Sequence, residues 1–212
     1  MADLQQIARH LIDGQSDAVS RLVREALDEG VAAETILEEG LIAGMTVVGI
    51  RFRENEIFVP EVLVSARAMK AGLAHLEPIF SASGIPPVGT CVIGTVKGDI
   101  HDIGKNLVAM MLRGAGFRVI DLGVNVPTQK FLDAIVEHRP QVVGMSALLT
   151  TTMGQMKVNI EAFRAAGVDV RVMVGGAPVS AEYAAGIGAD AHGANATEAV
   201  EHAVRLVSAA AR

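Results

Sequence analysis

The chain has 212 residues, half of them hydrophobic and a fifth charged, with a formal net charge of −6. That length and composition can bury a core and exclude a disordered chain. Six Phe, one Tyr and no Trp, with net acidity, argue against a nucleic-acid partner, which needs stacking platforms and a basic face. The single cysteine, Cys91, excludes an internal disulfide and a cysteine-rich metal site, and it fits a reducing compartment. The N-terminal MADLQQIARHLIDG carries charges throughout, and no apolar run approaches the ~18 residues of a membrane span. The expectation is a soluble, cytoplasmic protein with no membrane partner.

Gly and Pro divide the chain. Residues 1–83 hold six of the 22 Gly and two of the seven Pro. They also hold all of the net charge, with 13 acids against 7 bases, where the remainder has 11 of each. This first part reads as helices. Ile7 and Leu11, then Val19, Leu22, Val23 and Leu27, recur at helical spacing, with Ser16 and Asp17 as an N-cap and Gly30 as a stop. Thr35–Val48 is a further apolar-periodic run with Glu38 and Glu39 on its outer side. Pro60 opens the last run, through Val62, Leu63, Ala66, Met69, Leu73 and Leu76. Four helices with short connections predict an all-α four-helix bundle over 1–83. SASGIPPVG follows, and 84–89 is expected to be a linker.

From residue 90 to 212 the pattern alternates. Short β-branched runs at Thr90–Thr95, Phe117–Leu122, Gln141–Ser146 and Asp169–Val174 read as strands, with a fifth near Ala189–Ala191. Helical stretches at Gly104–Arg113, Thr128–Glu137, Gln155–Ala165 and Ala196–Ala209 lie between or after them. This pitch predicts an α/β, flavodoxin-like (Rossmann-like) domain with a five-stranded parallel sheet. Ligands of such sheets bind at the carboxyl ends of the strands.

The first strand runs into Lys97-Gly98-Asp99-Ile100-His101-Asp102-Ile103-Gly104-Lys105-Asn106. A Walker loop fails here, because five residues separate Gly98 from Gly104 and Asn106 replaces the hydroxyl residue. The dinucleotide fingerprint G-x-G-x-x-G is absent too. What remains is Asp-x-His-x-x-Gly: Asp99, His101 and Gly104. Residues two apart on an extended loop project to one side. A carboxylate there can hold one imidazole nitrogen and aim the other outward, as behind a metal-ligating histidine. On this motif alone two readings stay open, a metal ligand and a loop histidine that caps the next helix. The other histidines, at 10, 75, 138, 192 and 202, are scattered and read as surface or structural, so no zinc set is completed. A lone protein ligand suits a metal already coordinated by a macrocycle. Lys97 and Lys105 flank the loop and read equally as ligand contacts and as solvated charges. Met110, Met111, Met145, Met153 and Met156 read as core packing.

Two further elements follow in order. The third strand runs into Ser146-Ala147-Leu148, and the fourth into Gly175-Gly176. The whole pattern resembles the D-x-H-x-x-G, S-x-L, G-G signature of the cobalamin-binding domain of methionine synthase and the corrinoid methyl-carrier proteins. Residues around IRFRENEIFVPEVLVSARAMKAG resemble the helical cap that precedes this domain. The resemblance implies cobalamin (methylcobalamin or another corrinoid) bound base-off, with His101 on the lower face of cobalt. Asp99 matches its hydrogen-bond partner, and Thr152 the hydroxyl residue of the relay, Ser in methionine synthase. Asp102, Ile103 and Gly104 complete the loop. Ser146, Leu148, Thr150, Gly175 and Gly176 match the slot for the nucleotide tail. Phe52, Val59 and Val62 match the cap contacts over the upper face, with Phe58 adjacent. The resemblance further implies a carrier between a substrate:corrinoid methyltransferase and a corrinoid:acceptor methyltransferase, with tetrahydrofolate or coenzyme M as acceptor, and a reductive activase as a further partner. The alternative is a cobalamin-dependent sensor without catalysis of its own. The N-terminal bundle argues against a mutase subunit.

Overall fold

The computed structural model describes residues 3–83 and 87–210; residues 84–86 of the expected linker lie outside the described residues. The chain divides into two compact units, the helices up to residue 83 and the elements of residues 87–113 and 117–210. Among the described residues no helix is long and apolar enough to cross a membrane.

The first unit holds α1 (Leu4–Ile12), α2 (Ser16–Asp28), a continuous helix made of α3 (Ala33–Thr35), a π-wound stretch (Ile36–Ile42) and α4 (Ala43–Arg53), and then α5 (Val59–Ser83). Asp3 caps α1 by accepting from the Gln5 amide at 3.0 Å. Each helix buries one face: Ile7, Ala8 and Leu11 from α1, Val19, Val23 and Ala26 from α2. Gly40 and Gly44 let two helices approach closely, because a Cβ at Gly44 would lie 3.0 Å from the Ala8 carbonyl oxygen. Ser16 is not a cap: it is the first helical residue, and Gln15 before it makes no capping bond through its side chain. The π winding, with its i→i+5 bonds, brings Ile36 and Leu41 onto one buried face, which the 3.6-residue period of an α-helix does not.

The second unit alternates β1 (Thr90–Thr95), α6 (Ile103–Gly114), β2 (Arg118–Asp121), α7 (Thr128–His138), β3 (Val142–Ser146), α8 (Gly154–Ala165), β4 (Arg171–Gly175), α9 (Ala181–Ile187), β5 (Ala191–Gly193) and α10 (Ala196–Ala210). The five strands pair in parallel in the order β2-β1-β3-β4-β5. This is the flavodoxin-like order. Helix α9 had no expectation in the sequence, because AEYAAGI is short and poor in large apolar residues. Strand β5 begins two residues later than expected, since Asp190 instead accepts from the Val172 amide at 2.8 Å and ends the preceding turn.

One side chain in two on each strand points to the same core. Val92, Val96, Val143, Met145, Val172 and Val174 pack with Phe131 and Ile135 of α7, Met156, Ile160 and Phe163 of α8, and Ile187 of α9. Phe131 and Phe163 meet as tilted rings with centroids 6.3 Å apart. The strand order reverses between β1 and β3, and it is there, at the carboxyl edge, that such sheets carry a ligand-binding crevice. The register aligns Thr95, Ser146, Gly175 and Gly193 side by side along that edge. Replacing Phe131 with Ala is expected to cost about 3–5 kcal/mol, read from urea unfolding of the full chain, because a fully buried ring leaves a cavity in the core.

Candidate functional site

The loop after β1 is tied down by one buried carboxylate. Asp99 is fully buried and accepts five hydrogen bonds. Its Oδ1 accepts from the His101 amide at 3.0 Å and from His101 Nδ1 at 2.7 Å. Its Oδ2 accepts from the amides of Leu148 at 2.8 Å and Leu149 at 3.2 Å, and from Thr152 Oγ1 at 2.8 Å. Asp99 therefore staples the loop after β1 to the loop after β3, across the crevice where the strand order reverses. Burial alone would raise its pKa, but the amides of His101 and Leu148 and the side chains of His101 and Thr152 outweigh it and hold the carboxyl well below its ordinary 3.8.

An ionised carboxylate only accepts, so His101 Nδ1 donates to Asp99, and Nε2 is the ring nitrogen left for a ligand. The His101 side chain is 46 % exposed, and Nε2 makes no hydrogen bond to the described residues. The backbone around the ring is held as well. Thr95 Oγ1, buried at the end of β1, donates to the His101 carbonyl at 2.8 Å. Asn125, in the left-handed region at φ 51°, accepts from the Gly98 amide at 2.8 Å and donates its own amide to the Asp99 carbonyl at 2.8 Å.

The surroundings of His101 are apolar and open. Ile100 is 73 % and Ile103 75 % exposed on either side of it, and Leu148 and Leu149 are exposed on the facing loop. Large apolar side chains at that exposure, around one imidazole, form a hydrophobic rim. Gly104 adds an independent sign. No atom of the chain lies within 4 Å of a Cβ built there, and its backbone is not left-handed. The fold does not require glycine at the start of α6, although Gly weakens a helix. Gly175 and Gly176 differ: a Cβ on Gly176 would sit 1.9 Å from the Ala147 carbonyl oxygen, and one on Gly175 would sit 2.9 Å from that of Gly193. Neighbouring backbone already demands both.

The remaining expected residues fall in several places. Ser146 ends β3 and Thr150 is exposed on the loop beyond it. Asp102 precedes α6 and accepts from Asn106 Nδ2 at 2.9 Å. In the helical unit Phe52 and Val59 are half-buried, Phe58 is exposed and Val62 is fully buried. Lys105 is neither a solvated charge nor a free ligand contact. Its side chain is 2 % exposed, and Nζ donates to both carboxylate oxygens of Asp121, at 2.7 and 2.6 Å. The other histidines have local partners: Gln15 for His10, Ser20 for His75, Glu137 for His138, the Val179 carbonyl for His192 and Arg205 for His202. Cys91 lies inside β1, where burial pushes its thiol up to about 12 against a bond from Gly144, so it is inert. Thr95, Asn125 and Leu149 had no expectation. The signal that could have found them was positional, since Thr95 ends β1 and Asn125 lies in the loop after β2.

The donor set fits a metal that takes a single nitrogen from the protein. Among the described residues no three His, Cys, Asp or Glu gather into a metal-binding group, so His101 would supply that nitrogen alone.

Residues 89–203, more than half the chain, match the family model of the B12 binding domain, and residues 3–77 match a second model of the same description. The chain belongs to the B12-binding family. It is 41 % identical over 212 residues to a corrinoid protein of Desulfitobacterium hafniense, covering 98 % of each chain. It is 44 % identical over 209 residues to the dimethylamine corrinoid protein of Methanosarcina barkeri, covering 97 % of each. Among solved structures, a methanol:cobalamin methyltransferase complex from Methanosarcina barkeri superposes with a TM-score of 0.87 at 31 % identity, over 95 % of this chain and 78 % of the other. A cobalamin-binding protein from Desulfitobacterium hafniense gives 0.80 at 31 % identity, over 97 % and 99 %.

In this B12-binding chain the Asp99 cluster also governs behaviour in acid. The folded-state pKa lies below the unfolded one, so its stabilisation is complete at neutral pH and is lost as pH falls through the folded value. Thr152→Val, which removes one charge-assisted bond, is expected to cost about 1.5–3 kcal/mol at pH 7. The deficit should narrow in acid, because the variant's folded-state carboxyl takes up its proton before that of the wild type. Urea unfolding across pH 7 to 2 reads both effects.

Proposed function

We propose that this chain is a corrinoid protein that carries a methyl group between two methyltransferases. The observation that supports it most is His101 beside the β1/β3 crevice, with Nδ1 engaged by Asp99 and Nε2 open within an apolar rim. The relatives named for dimethylamine and the superposed methanol:cobalamin methyltransferase complex support methyltransferases as partners. In this reading residues 90–212 hold the corrinoid, residues 1–83 cover it as a cap, and 84–89 join them. A substrate:corrinoid methyltransferase would deliver the methyl group and a corrinoid:acceptor methyltransferase would remove it, to tetrahydrofolate or coenzyme M. A reductive activase would restore cofactor that has become oxidised. The single buried cysteine suits a cytoplasmic, reducing setting.

Bound, the corrinoid supplies a cobalt centre able to accept and release a methyl group. The chain's residues hold and tune it. His101 Nε2 would hold the cobalt, and Asp99, engaging Nδ1, would orient the ring for it. Thr152 donates to Asp99 and keeps the carboxylate oriented. Asp102, Ile103 and Gly104, on the same loop as His101, would line the corrinoid beside it. Ser146, Leu148, Thr150, Gly175 and Gly176 border the slot for the nucleotide tail. Phe52, Val59 and Val62 of the cap, with Phe58 beside them, keep water from the upper face.

Two substitutions test this reading. Wild-type protein mixed with hydroxocobalamin and desalted is expected to retain the cofactor, with an absorption spectrum that changes in His101→Ala. Protein that retains none would sink the proposal, and identical spectra would sink the ligand assignment. Gly104→Ala is expected to leave cofactor-free protein equally stable or about 0.5 kcal/mol more stable, because the new methyl meets nothing and favours the helix. The same variant should bind hydroxocobalamin more weakly. Undiminished binding would mean that Gly104 does not face the cofactor.

A further inference from the structure

The Asp99 cluster leaves one buried charge unexplained. Lys105 lies on the first turn of α6 with its ammonium enclosed, and Asp121 at the end of β2 is its ionic partner. A third bond leaves the same nitrogen, to Asn106 Oδ1 at 2.6 Å. An ammonium can only donate, so the Asn106 amide is fixed with its oxygen toward Lys105 and its nitrogen away. That nitrogen donates to Asp102 Oδ2 at 2.9 Å, and the Asn106 backbone amide donates to the Asp102 carbonyl at 2.7 Å. Asp121 is in turn steadied by the Gly123 amide at 2.9 Å. A continuous polar chain thus runs from the end of β2, through Lys105 and Asn106, to the residue that follows His101.

We infer that Lys105 is a positioning residue for His101, acting through Asn106 and Asp102. The inference rests on the assignment of His101 as the cobalt ligand. Asp99 holds the imidazole from one side, but a ring on a loop also needs its backbone fixed on the other. Thr95 fixes the His101 carbonyl, and the Lys105 chain fixes the next residue where the loop enters α6. A stiff loop keeps Nε2 at one height and direction, and such outer partners of a ligating histidine commonly change metal affinity by 10–100-fold. An ion pair whose lysine is enclosed and whose carboxylate reaches solvent fixes the ammonium in one place. That suits a charge beneath a loop whose geometry matters.

Three full-length variants test this with hydroxocobalamin as the probe. Asn106→Ala keeps the ion pair and breaks the link. Lys105→Met with Asp121→Asn removes both charges and keeps an acceptor for the Gly123 amide. His101→Ala marks the spectrum without the ligand. Dissociation constants and absorption spectra are measured beside thermal unfolding of cofactor-free protein. Asn106→Ala and the double variant are expected to bind about tenfold more weakly, with spectra moved toward that of His101→Ala, without a matching loss of stability. A role in stability alone would lower the unfolding temperature and leave the spectrum unmoved. Should the double variant unfold early, Asn106→Ala decides. Wild-type affinity and spectrum in Asn106→Ala overturn the inference. If wild type and His101→Ala are indistinguishable, the ligand assignment fails and the Lys105 role falls with it, an outcome distinct from Asn106→Ala alone matching wild type.

Discussion

The second unit depends on a carboxylate placed where carboxylates are costly. Asp99 is enclosed at the carboxyl edge of a parallel sheet, and an unpaired charge there would be strongly disfavoured. Five donors remove that penalty, three of them backbone amides that only this loop geometry can present. Two of those amides, at Leu148 and Leu149, come from the loop after β3. The carboxylate therefore does two things together. It closes the crevice at its floor, and it dictates which nitrogen of His101 holds the proton. Binding chemistry and local folding share one group, so neither can be changed alone.

Much of this was legible in the sequence, for reasons that can be named. Strand and helix alternation from Thr90 onward follows hydrophobic period; Ser146 and Gly175 end their strands, and Asp99 lies in the loop after β1. Asp99 and His101 two apart already suggested a carboxylate behind an imidazole. Thr152 could be named from a family spacing, but its bond to Asp99 needs the turn that brings residues 148–152 back toward β1. What stayed hidden was tertiary. The burial of Lys105 depends on Asp121, sixteen residues on, and no local pattern distinguishes a paired lysine from a solvated one. The π winding at Ile36–Ile42 departs from the 3.6-residue period by which helices are legible, and the short α9 stayed hidden because its side chains fit several periods equally.

The glycines separate two kinds of constraint. Gly176, at φ 127° and against the Ala147 carbonyl, is required by the chain itself. Gly104 is not. A position where the fold would accept Ala, at the head of a helix that would benefit from it, points to a requirement outside the chain. Ile100 and Ile103 carry the same message, since the folded unit does not bury them. Around His101 the chain gives up stability in small amounts, as functional sites commonly do.

The central claim is that Asp99 holds His101 with Nδ1 protonated and Nε2 bare, ready to ligate. Nitrogen-15 NMR of the His101 ring in cofactor-free protein, above the pH at which the ring is charged, tests it most directly. The expected result is a protonated Nδ1 and a lone-pair Nε2, with the Nε2 resonance displaced when hydroxocobalamin is added. A proton on Nε2, or an Nε2 resonance that the corrinoid leaves unmoved, would contradict it.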